Sequence, residues 1–100
     1  MHREDVATFK CFINDIKGLV FLDGIGTSIN IITKNFLNKL NKIKPIGFVK
    51  NNIKKVLFKE NVYIEFYLLN VKIGKLFIHD IFRDIDNDQN LFDVLIGYST

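Results

Sequence analysis

Apolar residues recur along this chain mostly with the two-residue period of half-buried strands. Thr8 to Ile13 reads as a strand and runs into Asn14-Asp15, a pair suited to a tight turn. Ile16 to Leu22 comes next, nearly continuous in apolar residues after Lys17-Gly18, and is expected to be buried on both faces. A glycine-rich stretch then interrupts the pattern, and Ile29 to Ile32 resumes it. Thr33 has the character of a helix N-cap, with Phe36, Leu37 and Leu40 forming one apolar stripe before the loop from Asn41 to Pro45. Ile46 to Val49 and Ile53 to Phe58 flank Lys50-Asn51-Asn52, a plausible hairpin turn because asparagine tolerates the left-handed backbone region. Asn61 to Leu69 and Leu76 to Phe82 flank a second turn over Asn70 to Gly74. Asp84 to Asn90 reads as a polar loop and Phe92 to Ile96 as the last strand. Strands dominate with one short helix, which predicts a mainly β chain, a small barrel or sandwich.

One hundred residues make a single small domain, residues 1–100, with no repeat or proline-rich linker to divide it. At 48% hydrophobic, with ten Phe and no Trp, the chain is expected to pack a core. No apolar run approaches the roughly 18 residues of a membrane span. Met1 to Asp5 is charged with no apolar stretch behind it, unlike a secretory signal. Cys11 is the sole cysteine, which suits a reducing, intracellular and cytoplasmic setting and predicts an inert buried thiol. Net charge is +3, but it hides a division: Gly24 to Lys59 holds eight lysines and no acid, whereas from Glu60 onward there are seven acids against three bases.

Candidate chemistry is sparse. The sequence has no nucleophile elbow, paired-cysteine motif, zinc-protease motif or phosphate loop. His79 falls within a strand and reads as structural or exposed. Asp84, Asp86 and Asp88 imitate the start of a calcium loop, but Gln89 stands where its glycine belongs and Leu95 where its bidentate glutamate belongs. That stretch therefore reads as a solvated loop, and no metal or other cofactor is implied. Asp23 remains. It succeeds Val20-Phe21-Leu22 and precedes Gly24-Ile25-Gly26, at the end of an apolar strand on a glycine turn. On these grounds alone it either caps the turn or carries chemistry.

The wider pattern resembles retroviral and retrotransposon aspartic proteases, the retropepsin-like family. Ile13 to Asp23 has the hairpin-and-strand spacing that leads to that family's catalytic Asp. Gly26-Thr27-Ser28 and the apolar run to Thr33 resemble the family's segment downstream of that Asp, and Lys34 to Leu40 the next helix. Val49-Lys50-Asn51-Asn52 stands where many retrotransposon members carry the flap tip. Phe77 to Phe82 and then Phe92-Asp93-Val94-Leu95-Ile96-Gly97 resemble the closing strands. The resemblance covers about residues 8–98, and the family's subsequent helix and terminal strand have no counterpart.

This resemblance implies a small closed β-barrel of the retropepsin (acid protease) type with one short helix. It also implies a homodimer in which Asp23 from two chains forms a dyad that activates a water and cleaves a polyprotein peptide bond. Gly24, Ile25, Gly26, Thr27 and Ser28 are then the active-site loop, and Val49, Lys50, Asn51 and Asn52 the flap over an extended peptide. The family motif is Asp, Thr or Ser, Gly, then a small residue. Here Gly24 and Ile25 either contain one insertion or replace the hydroxyl residue and the glycine. An added residue can shift backbone by up to roughly 3.5 Å, and a misplacement of about 1 Å can cost on the order of a hundredfold in rate. The alternative is a catalytically degenerate domain that binds peptides or dimerises. A basic nucleic-acid-binding β domain using Lys34 to Lys59 is a weaker third reading. Phe48 and Phe58 alternate like core residues and no RNA-binding signature is present, so neither nucleic acid nor membrane is the expected partner.

Overall fold

Asn14 and Asp15 both take left-handed backbone angles, φ 47° and 70°, the geometry of a two-residue hairpin whose twist matches that of its strands. They join β1 (Thr8–Ile13) to β2 (Ile16–Asp23) in the computed structural model, which describes residues 8–23, 29–40, 43–50, 63–86 and 91–97. After these come β3 (Ile31–Thr33), α1 (Lys34–Leu37), β4 (Gly47–Lys50), β5 (Tyr63–Ile73), β6 (Leu76–Ile85) and β7 (Val94–Gly97). The sheet order is β1-β2-β7-β3-β6-β5-β4, and a further pairing of β1 with β5 closes six of these strands into a barrel. β4 pairs with β5 alone among the described strands and lies outside the closure.

Alternation fills the barrel. Cys11 and Ile13 of β1, Val20 of β2, Leu69 and Val71 of β5, Phe82 of β6 and Val94 of β7 are buried in one cluster. Thr33 caps α1 by accepting the Phe36 amide at 3.2 Å, which turns the buried Phe36 into that cluster. The apolar stripe holds, although α1 is a single turn and Leu40 reaches the core from beyond it. Gly18 is required by packing: a Cβ there would stand 2.9 Å from both Ile13 Cδ1 and Phe36 Cε1.

Four expectations are corrected. β2 is buried on one face only, since Leu19 is exposed while Val20 is not; in its outward row Lys17 and Leu19 are exposed and Phe21, stacked on Phe92, is half-buried. The second hairpin turns at Gly74 (φ 59°) and Lys75, and Asn70 to Ile73 continue β5 in register with β6. Asp84 lies within β6 and is buried, so the start of the supposed solvated loop belongs to the core. Phe48 is 66% exposed because β4 lies outside the barrel. The expected strand Ile53 to Phe58 lies outside the described residues.

Asn14 also closes the barrel. Its amide donates to the Asn70 carbonyl and its Oδ1 accepts the Asn70 amide, each at 2.8 Å. Asn14→Gly removes the side-chain bond and is expected to cost about 0.5–1.5 kcal/mol. Asn14→Ala adds the left-handed backbone penalty of roughly 1–2 kcal/mol. Urea denaturation of the two variants checks this; equal losses would contradict it.

Candidate active site

Asp23 is the last residue of β2, and its register partner is Gly97, the last residue of β7. β2 and β7 run parallel, so these two ends reach the same rim of the barrel. β3 pairs with β7 on its other side, antiparallel. β7 thus stands between β2 and β3. The passage from Asp23 to β3 includes Gly24, Ile25, Gly26, Thr27 and Ser28, the expected active-site loop, which lies outside the described residues.

Asn30 anchors the far end of that passage. It is 7% exposed, and its Oδ1 accepts the Gly97 amide at 3.2 Å. Its Nδ2 donates to Asp80 Oδ2 at 3.0 Å and to the Ile81 carbonyl at 3.2 Å, and its own carbonyl accepts the Arg83 amide at 2.9 Å. One buried amide thus binds the returning chain to β6 and to the residue beside Asp23. Sequence reasoning missed it, although a lone polar residue inside Ile29-Asn30-Ile31-Ile32 was a signal: such a residue is kept inside only when fully bonded. At the other end of β7, Asp93 accepts the Leu19 amide on Oδ2 at 2.8 Å, returns its own amide to the Leu19 carbonyl at 2.9 Å and accepts the Thr33 amide at 3.0 Å. β7 is clipped to both neighbours at both ends.

A cleft of about 260 Å³ opens beside Asn30, lined by Ile29, Phe66, Asp80, Ile81 and Arg83. Of the expected flap, Val49 and Lys50 form the end of β4, opposite Ile64 and Tyr63 of β5. Phe48 meets Tyr63 edge-on with centroids 5.5 Å apart. Asn51 and Asn52 lie outside the described residues. The described arms are thus a two-stranded ribbon attached to the barrel by one edge.

Asp84, a second buried polar group that sequence reasoning missed, accepts the Glu65 amide at 3.1 Å, and Lys34 Nζ lies 3.2 Å from its Oδ2. These contacts join β6 to β5 and to the start of α1, a structural ion pair. Among the described residues no group of three or more His, Cys, Asp or Glu could hold a metal ion, and no helix is long and apolar enough to cross a membrane. His79 is exposed and pairs with Asn70. Cys11 is buried, and burial, with the Asp93 charge second, pushes its thiol from 9.0 up to about 11. Tyr67 is pushed from 10.0 to about 12 by burial, then by its 3.0 Å hydrogen bond to Glu65 and by the charges of Glu65 and Asp84.

The sequence matches no protein-family model and no curated protein. Solved structures do resemble it. The EIAV protease, in complex with the inhibitor HBY-793, aligns with a TM-score of 0.61 at 18% identity over 97% of this chain and 86% of that one. A retropepsin-like aspartic protease from Rickettsia conorii aligns at 0.63 and 22% identity, over 97% and 70% of the two chains. The retroviral protease-like domain of Ddi1 from Leishmania major aligns at 0.60 and 15% identity, over 92% and 71%. At these identities the likeness is one of fold. The chain has the retropepsin-like barrel that its sequence resembles.

Two measurements check the buried groups. Asn30→Ala leaves the Gly97 amide unbonded and is expected to cost about 1–3 kcal/mol, with faster hydrogen exchange at Gly97; unchanged exchange there would contradict it. Raised thiol and phenol values mean the native state holds those protons more tightly than the unfolded chain. Stability is therefore full below pH 9 and falls as pH rises toward about 11, with Tyr67 extending the fall to about 12. A denaturation series in which Cys11→Ala does not flatten the first part of that decline would contradict the assignment.

Proposed function

We propose that this chain is a retroelement-type aspartic endopeptidase domain that works as a homodimer on an extended polyprotein segment in the cytoplasm. The observation that carries the reading is the placement of Asp23: the end of β2, in register with Gly97, on a barrel of retropepsin type. Asp23 is the only acid of β2, and one chain supplies one such residue. A dyad therefore needs a second copy related by a two-fold axis. Two carboxyls about 3 Å apart cannot both ionise and share one proton. The ionised one takes a proton from water while the protonated one donates to the scissile carbonyl; the water oxygen attacks the carbonyl carbon, and the amine leaves with a proton. The ribbon of β4 and β5, with Val49 and Lys50 near its end and Asn51 and Asn52 beyond, is the part that closes over substrate. The loop Gly24 to Ser28 holds the dyad.

A second reading is favoured by that loop. No hydroxyl residue directly succeeds Asp23, since Gly24 and Ile25 intervene before Gly26. A barrel with this loop and no cleavage is a peptide-binding or dimerisation module.

Incubation with a pool of unstructured peptides at about pH 4–6, where a shared proton is retained, separates the two readings. The protease reading expects cleavage that pepstatin inhibits and that Asp23→Asn lowers by ~10²–10⁴-fold at unchanged melting temperature. A demonstrably dimeric sample that cuts nothing leaves the binding module.

A further inference from the structure

The rim opposite Asp23 carries a different chemistry. Strand register pairs Lys17 with Phe12 across β2 and β1, Phe12 with Lys72 across β1 and β5, and Lys72 with Phe77 across β5 and β6. Register partners share a face, so these residues form one Lys-Phe-Lys-Phe row across the outside of the barrel, stepping about 4.8 Å per strand. Both rings are open to solvent, Phe12 at 49% and Phe77 at 70%. Lys72 Nζ lies 5.3 Å from the centroid of the Phe77 ring. Lys10 lies on the same face of β1 two residues before Phe12, and Lys75 stands in the turn between β5 and β6.

The barrel does not need these rings. The inward positions beside them are Ile13 and Val71, both fully buried. Among the described residues, Glu65, Asp80 and Asp84 occupy the alternate positions of β5 and β6, and Asp15, in the turn between β1 and β2, is the acid nearest Lys17 in sequence. Asp23 is six residues along β2 from Lys17, roughly 20 Å away. A second copy of the same face would set lysine against lysine, so charge disfavours self-association through it. Cations and flat π-faces alternating along one line complement a polymer that alternates phosphates with bases.

We infer that this row binds single-stranded nucleic acid, with bases stacked on Phe12 and Phe77 and phosphates held by Lys17 and Lys72. The site is independent of the protease reading and does not use the lysines of the basic middle segment.

Fluorescence anisotropy of a labelled oligo-dT of about 12 nucleotides tests it, over salt from about 50 to 200 mM. Phe12→Ala/Phe77→Ala is expected to weaken binding at least about tenfold, and Phe12→Tyr/Phe77→Tyr to retain it. Lys17→Gln/Lys72→Gln is expected to flatten the logarithmic salt slope by about 1.4. Lys39→Gln/Lys44→Gln, which removes the same charge elsewhere, is expected to change both much less. The inference is overturned if the oligonucleotide does not bind, if the alanine pair binds as well as the parent, or if the two lysine pairs behave alike. Capture of a labelled poly-glutamate peptide that oligo-dT fails to displace also overturns it.

Discussion

β7 lies between β2 and β3, parallel to one and antiparallel to the other, and this insertion sets the geometry at the Asp23 rim. Strands adjacent in sequence usually pair with each other; here β2 and β3 are held apart by a strand from some seventy positions later. Asp23 stands at the end of β2, beside the end of that inserted strand. Asp93 holds one end of the inserted strand and Asn30 the other, each by bonds to backbone that side-chain substitution elsewhere leaves in place. Asn30, buried and bonded this fully, tolerates little displacement, because each lost partner leaves a desolvated donor or acceptor behind. The Asp23 end of β7 is thus tied through Asn30 to β6.

Much of this was legible in the residues. The turn at Asn14-Asp15, the strands on either side, the Thr33 cap and the buried Phe36 arise from local propensity and alternation, which depend only on near neighbours. Asp93 and Gly97 were legible through their family pattern, though not the bonds that Asp93 makes. Asn30 and Asp84 were hidden because their partners are distant: Asn30 bonds to Asp80, Ile81 and Gly97, and Asp84 pairs with Lys34, contacts that exist only once the barrel has closed. Phe48 was misjudged for the opposite reason. Its alternation is that of a core strand, but its strand is attached outside the closure and the pattern cannot reveal which layer will be missing. The same holds for Leu19, whose apolar neighbours suggested a cover that the fold does not provide.

The two ends of the barrel differ in chemistry. Toward Asp23 lie buried amides, backbone ties and a cleft beside Asn30; toward the β1–β2 and β5–β6 turns lie exposed rings and lysines. Sheet geometry makes the separation, because residues six apart on one strand share a face while lying far apart along it. The overall charge of +3 conceals this. Charge averaged over a chain says little about a barrel whose strands present alternate residues to opposite sides.

The insertion of β7 has a consequence for how the molecule comes into being. Until synthesis has passed Gly97, β2 and β3 have no common neighbour, and Asn30 has no Gly97 amide to accept. A nascent chain that stops short of this strand presents an open sheet with Asp23 at a loose end. Contacts spanning most of the chain form late, since loop closure must precede them. Emergence of β7 from the ribosome thereby serves as the timing step: the Asp23 rim is assembled by the last of these strands to be made.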